Sequence, residues 1–301
     1  MDYILSKTKD LNILIVGVAR NVENVIENEI KRLASSFSEF NFVSFYIVES
    51  DSEDNTLKEL ERLSYVYPNF RYVTLGDLKN TYEERLERIT FCRNQYMEYL
   101  DFFTKSNKVD VICVADLDGV NENLNANAVA SCFERDDWAV CCANQGGNYY
   151  DVFALRHQTW SPNDCWDYER ELRENGMNPL KSRQIAVYSR QRRISAQENW
   201  IEVESAFGGI ALYKSNFLIG LRYKSSFKDK LVCEHISINN DIRELGGKIF
   251  INPKFINFNW NQHNSSHFFL NRIKRRIKYI IGVMVPSWMD NFFPIFNNSR
   301  S

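Results

Sequence analysis

Between residues 11 and 116 the chain alternates short β-rich apolar runs with segments whose apolar residues recur at helical spacing. That alternation narrows the fold more than any other feature. The runs are LNILIVGVA (11–19), FVSFYIVES (42–50), FRYVTLG (70–76) and VDVICVAD (109–116). Between them, Val22, Ile26, Ile30 and Leu33 mark a helix with Asn21 as its cap, EDNTLKELERL a second helix, and TYEERLERITFCRNQYMEYLDFF a long third. Such units are right-handed crossovers that build a mostly parallel sheet flanked by helices. In open sheets of this kind ligands bind beyond the carboxyl ends of the strands. Ala19-Arg20, Glu49-Ser50-Asp51 and the pair Asp116 and Asp118 all fall at such ends.

The second half reads as mixed. WAVCCANQ and NYYDVFALR read as strands, NDCWDYERELRENG as a helix behind Asn163, and ESAFGGIALYKSNFL as a strand leading into a turn or helix. CEHISINNDIRELGGKIFINP reads as a helix ended by Gly246-Gly247, then a strand ended by Pro253. With no internal repeat and no low-complexity linker, residues 1–260 are expected to form one domain with halves near 1–120 and 121–260. Residues 261–301 differ. Arg272, Lys274, Arg275, Arg276 and Lys278 cluster among Ile273, Ile277, Ile280, Ile281 and Met284, and Trp288, Phe292, Phe293 and Phe296 follow. A basic amphipathic helix with aromatics suits an anionic membrane surface, while a helix docked on the domain is the plain alternative. The expected place is cytoplasmic, peripheral on the inner face of the membrane. The N-terminus MDYILSKTKD has no basic segment followed by an apolar one, so it is not read as a secretory signal.

Chemistry concentrates at ADLD. A single Asp after a strand is commonly a turn former or helix cap. Two Asp with one spacer repel each other beside an apolar run, and a hard divalent cation removes that repulsion. Metals held by so few carboxylates usually grip substrate phosphates as well. On the long helix, Arg93 falls on the apolar stripe of Leu86, Ile89, Met97 and Leu100. An inward Arg is either an internal ion pair or a phosphate contact. The basic stretch KSRQIAVYSRQRR (181–193) is a solvated surface by default, with Arg190, Arg192 and Arg193 as an alternative grip for an acceptor phosphate. A net charge of -2 gives no footprint for nucleic acid. The 7 cysteines show no Cys-x-x-Cys spacing, which suggests a reducing compartment with neither a disulfide framework nor a zinc site.

Together, GVARN, VESDSEDNT, RLERITFCRN and ADLD resemble the nucleotide-binding half of a GT-A glycosyltransferase, and FGGIALYKSNFL with CEHISINNDIRELGGKIFINP resembles its acceptor half. The order and approximate spacing agree over residues 11–260. YYDVFALRH also resembles the fungal capsule-associated mannosyltransferase group and its bacterial relatives in surface-polysaccharide synthesis. The resemblance implies an α/β, Rossmann-like GT-A sheet and metal-dependent transfer of a hexose, mannose among the options. The donor implied is a UDP- or GDP-sugar, the acceptor a glycan or lipid-linked sugar, and the cofactor Mn²⁺ or Mg²⁺. It implies that Ala19, Glu49 and Asp51 border the nucleoside, that Arg93 approaches the diphosphate, and that Asp116 and Asp118 bind ribose and metal. Gly208 and Gly209 then let backbone approach the sugar; a β-bulge is the structural alternative. Where many relatives carry Glu-Asp, this chain carries Glu234-His235, so His235 or Glu234 is the implied base. His263 is the implied third metal ligand. Two other readings stay open. A sugar-nucleotide synthesising transferase wants a Gly-rich loop after the first strand, where GVARNVENV has one Gly. A non-catalytic nucleotide-binding membrane scaffold needs neither Asp116 with Asp118 nor Glu234.

Overall fold

A computed structural model describes residues 8–227 and 230–259. The strands are β1 (Asn12–Ala19), β2 (Phe42–Glu49), β3 (Phe70–Thr74), β4 (Val111–Ala115), β5 (Val140–Gln145), β6 (Ile201–Val203), β7 (Ile210–Lys214), β8 (Ser226–Phe227), β9 (Lys230–Leu231) and β10 (Ile249–Phe258). The helices are α1 (Ile26–Ser36), α2 (Thr56–Val66), α3 (Arg85–Phe103), α4 (Ala126–Ser131), α5 (Cys165–Glu174), α6 (Pro179–Ala186), α7 (Ser215–Leu218) and α8 (Glu234–Glu244).

An 8-stranded sheet runs in the order β3-β2-β1-β4-β7-β5-β10-β6, with β8 and β9 as a separate hairpin. β6 and β7 run against the rest, so the sheet is mixed but mostly parallel. β4 is buried at every residue because both faces of the sheet are covered. Its neighbour β1 shows the alternation directly. Leu14 and Val16 join one core with Tyr96, Met97 and Leu100 of α3 and Ile238 and Ile242 of α8. Ile13 and Ile15 join the other with Ile26, Ile30 and Leu33 of α1 and Leu60 and Leu63 of α2. The helix-flanked α/β sheet expected from the sequence is therefore present.

At several points the chain departs locally from the pattern its sequence predicts. NYYDVFALR is not a strand; it holds only isolated bridges, Asn148 to Arg193 and Arg156 to Ser205. Asp151 accounts for this, because its carboxylate accepts the Ala154 amide at 3.3 Å and turns the backbone away from a ladder. β10 does not stop at Pro253. Its pairing with β5 shifts register between Ile251 and Ile256, and the proline sits in that irregularity, where no ladder amide is required. Asn21 does not cap α1; it sits at φ 52° in the loop, accepting the Glu53 amide at 2.8 Å. Asp164, not Asn163, caps α5. Among the described residues no helix is long and apolar enough to cross a membrane. The expected tail, with His263, lies outside the described residues.

Candidate active site

The carboxyl ends of β1, β2 and β4 open onto a cavity of about 300 Å³. Val18, Ala19, Arg20, Ser50, Asp51, Arg85, Arg88, Asp116 and Asp118 line one side, and Tyr150, Asp151, Phe153, Phe207, Glu234 and His235 the other. Loops from the parallel strands and the start of α8 thus meet at one place, as open sheets of this class predispose.

The exit from β4 is held rigidly. The Asp116 amide donates to the Gly209 carbonyl at 2.8 Å, continuing the β4–β7 ladder past Ala115. Gly17 of β1 lets this exit lie close, since a Cβ there would stand 2.7 Å from the Ala115 carbonyl oxygen and 2.9 Å from Leu117 Cδ1. Beneath it runs a buried amide chain. Asn121 Nδ2 donates to the Asp116 carbonyl at 2.7 Å and to Glu29 at 2.9 Å. Asn257 donates to Asn121 Oδ1 at 3.2 Å and to the Gly208 carbonyl at 3.0 Å. Gln145 donates to that same carbonyl at 3.0 Å. These groups give two adjacent turns fixed geometry before any substrate arrives.

On this base Asp116 and Asp118 project toward the cavity. Asp116 keeps 33% side-chain exposure because it faces that space, while protein encloses it on the other sides. Burial pushes its carboxyl up to about 7; Arg93 opposes this, and Asp118, Asp151 and Glu234 reinforce it. Asp118 is exposed, and its carboxyl is also pushed up by desolvation, with Arg85 as the opposing cation. Among the described residues no group of three or more His, Cys, Asp or Glu is arranged to hold a metal ion.

Arg93 is 3% exposed and fully engaged. It donates from Nε to Glu234 Oε1 at 3.0 Å, from Nη1 to the Tyr96 hydroxyl at 3.1 Å, and from Nη2 to Asp116 Oδ1 at 3.3 Å. Burial works against its charge, but Tyr96, Glu234 and Asp116 outweigh that and hold it well above its ordinary value. The internal ion pair, one of the two alternatives in the sequence, is therefore formed. Burial alone would push the Glu234 carboxyl up; His235 and Arg93 outweigh it and hold it below the ordinary value. His235 is stacked on Phe207 with ring centroids 3.8 Å apart. Burial, with Arg93 beside it, brings its imidazole down to about 3. His235 is thus neutral at neutral pH, and Arg93 is the partner Glu234 keeps there. Neither His235 ring nitrogen has a hydrogen-bond partner among the described residues.

Asp151 escaped the sequence reading. It lines the cavity, accepts the Gly208 amide at 3.0 Å through Oδ2 and the Ala154 amide through Oδ1, and forms no ion pair among the described residues. Burial pushes its carboxyl up despite those amides. The one available signal was an Asp interrupting an otherwise apolar, aromatic run.

The remaining candidates divide. Ala19 and Asp51 line the cavity. Asp51 sits at φ 57° and accepts the Leu78 and Lys79 amides at 2.8 and 3.0 Å, which ties the β2 exit to the loop after β3. Glu49 turns away from the cavity, accepting from Thr74 Oγ1 at 2.5 Å and from the Ser52 amide at 3.1 Å. Gly208 and Gly209, at φ 77° and 89°, are required by the protein itself. A Cβ on Gly208 would lie 2.7 Å from the Ala143 carbonyl oxygen, and one on Gly209 would lie 2.9 Å from the Tyr150 hydroxyl. Neither glycine lines the cavity, whereas the adjoining Phe207 does. Arg190 is buried and donates to Ser161 Oγ at 3.0 Å and to the Asn163 carbonyl at 2.7 Å; Arg192 lies over Trp160 at 4.4 Å, and Arg193 is exposed. The stretch 181–193 is thus partly structural rather than a plain solvated face.

No family model matches the chain, and no curated protein does. Solved structures similar to it include the mannosyltransferase PcManGT from Pyrobaculum calidifontis in complex with GDP-Man and Mn²⁺, at TM-score 0.49 and 11% identity, covering 83% of this chain and 57% of that one. S. aureus TarS 1-349 in complex with UDP-GlcNAc is similar at TM-score 0.47 and 12% identity, over 84% of this chain and 59% of that one. Glucosyl-3-phosphoglycerate synthase from Mycobacterium tuberculosis, with Mn²⁺, UDP and phosphoglyceric acid, follows at TM-score 0.40 and 11% identity, over 86% and 70%. Likenesses of this depth do not assign a function.

Proposed function

We propose that the chain is a glycosyltransferase that moves a sugar from a nucleotide diphosphate to a hydroxyl acceptor with the help of a divalent cation. The observation that carries this is the placement of Asp116 and Asp118 at the mouth of a cavity shared with the exits of β1 and β2. Asp116 has the buried Arg93 as its ion-pair partner among the described residues, and Arg93 is shared with Glu234, while Asp118 has none. Hard carboxylate oxygens of this kind fit Mn²⁺ or Mg²⁺, with the remaining positions left to water and substrate phosphate. Asp118 is the firmer ligand because it is exposed and lies outside the Arg93 network.

When bound, the cation supplies charge neutralisation to a departing diphosphate. The chain's own residues do the rest. Ala19 and Asp51 border the nucleoside, and the exposed Arg20 and Arg85 add positive charge at the rim. Arg93 does not reach for the diphosphate in this reading. It fixes Asp116 and Glu234 in place, which spares the site reorganisation during reaction.

A hexose donor, a glycan or lipid-linked acceptor in surface-polysaccharide synthesis, and peripheral membrane attachment through residues 261–301 complete the proposal. The support for attachment is the sequence pattern of five cations beside isoleucines and aromatics. The reading as a whole is tested by thermal shift against UDP-, GDP- and other nucleotide sugars, with and without Mn²⁺. A ligand at 100-fold over its Kd adds about 2.7 kcal/mol. Absence of any Mn²⁺-dependent shift across the panel contradicts it.

A further inference from the structure

Three groups on the β5–α8 side of the cavity can accept a proton: Asp151, Glu234 and His235. They differ in what already occupies them. Glu234 is 3.0 Å from Arg93 Nε and its carboxyl is held low, so it is a poor base. His235 is 3% exposed, and an imidazole that protonates only near 3 takes a proton weakly at neutral pH. Asp151 is half-buried, faces the cavity and has no ion-pair partner among the described residues. Its two backbone amides hold the carboxylate in one orientation.

Placement adds direction. Asp116 and Asp118 leave the end of β4, whereas Asp151 lies in the loop beyond β5 and accepts the Gly208 amide through Oδ2 at the entry to β7. The next residue, Gly209, accepts the Asp116 amide at 2.8 Å, so Asp151 faces the Asp116 end of the cavity from the adjoining strand. A second observation points to an occupant at that place. Neither nitrogen of the buried His235 has a hydrogen-bond partner among the described residues, Nε2 standing 3.6 Å from Glu234 Oε1, and the ring lines this cavity. A buried imidazole left unsatisfied costs free energy that a hydroxyl in the cavity would restore.

We propose that Asp151 takes the proton of the acceptor hydroxyl and that His235 orients that hydroxyl by a hydrogen bond. This rests on the sugar-transfer reading above. The acceptor oxygen forms a bond to the anomeric carbon as the bond from that carbon to the diphosphate oxygen breaks. The electron pair leaves with the diphosphate, the proton passes to Asp151, and the configuration inverts.

The full chain is first titrated with Mn²⁺ and UDP- and GDP-sugars. If none binds, the sugar-transfer reading fails and this proposal fails with it. With a donor that binds, the structure of the wild-type complex is determined. The expected result is a hydroxyl or ordered water within hydrogen-bond distance of both an Asp151 oxygen and a His235 nitrogen, on the face of the sugar away from the diphosphate. An Asp151 carboxylate more than about 6 Å from the anomeric carbon, the reach of a base through one attacking oxygen, overturns the proposal and leaves donor binding standing. Asp151→Asn adds a kinetic arm. Donor affinity should stay within about 2-fold, while transfer to water falls by about 100-fold or more, as expected for loss of a general base. Equal rates of donor breakdown in the variant and the wild type overturn the assignment. Asp151 also holds two amides, so Asp151→Asn can fail to fold; the wild-type complex then decides alone.

Discussion

The two walls of the cavity handle charge in opposite ways. On the β1–β2–β4 wall, Asp118, Arg20 and Arg85 are exposed at the mouth. On the β5–α8 wall, Glu234 and His235 are each 5% exposed or less, and Arg93 of α3, 3% exposed, is committed to both Glu234 and Asp116. A wall of solvated charges can exchange partners at little cost, while a wall of buried charges cannot. The first suits a cation and a diphosphate that come and go; the second suits a fixed frame against which a sugar is held.

The largest effect that breaks this comparison is expected at Arg93. Arg93→Ala leaves Glu234 and Asp116 without their buried cation, and such losses cost about 3–5 kcal/mol. Urea denaturation should show that loss without any ligand present. If stability instead holds and only nucleotide diphosphate binding weakens, Arg93 belongs with the exchangeable wall.

A smaller effect sharpens the comparison through pH. Burial raises the folded pKa of Asp116 from the ordinary carboxylate range to about 7, so the metal-free native state holds a proton that the unfolded chain has released. Its contribution is present at low pH and lost as pH rises from about 4 to 7. The folded pKa of His235 is depressed from 6.5 to about 3, so its contribution is present above about 6.5 and lost as pH falls toward 3. Asp116→Asn should flatten the first slope and His235→Asn the second, in denaturation curves taken without divalent ions. If both variants retain both slopes, other groups set the pH dependence.

How much of this was legible follows from the physics of each half. Strands β1, β2 and β4 pack on both faces, so each reads as a largely apolar run, and each exits into charge. Asp116 with Asp118, and Asp51, were visible for that reason. The other wall was hidden because its placement depends on long-range pairing. Arg93 stood out as a misfit on an apolar stripe, yet its partner Glu234 lies 141 residues away. Asn121, Gln145 and Asn257 are each 0% exposed, but an amide in sequence gives no sign of the chain it will join. Asp151 was lost inside a false strand. The glycines at 208 and 209 were visible, but it takes the positions of Ala143 and Tyr150 to show that protein, not sugar, excludes their side chains.

The smallest effect on the folded domain is expected from removing residues 267–301. Nucleotide binding should be unchanged, while sedimentation with anionic vesicles should fall and should weaken with added salt in the full chain. Equal vesicle binding by both forms removes the membrane role from the tail.

The central claim is that the exposed carboxylate at the β4 exit holds a cation that in turn holds a nucleotide diphosphate. Calorimetric titration of UDP and GDP into wild type and Asp118→Ala, each with and without Mn²⁺, tests it most directly. Wild type should bind at least one of the two more tightly with Mn²⁺. Asp118→Ala should lose that Mn²⁺ dependence, with stability changed by no more than about 0.5 kcal/mol, as befits an exposed side chain. Mn²⁺-dependent affinity that survives intact in Asp118→Ala would contradict the account.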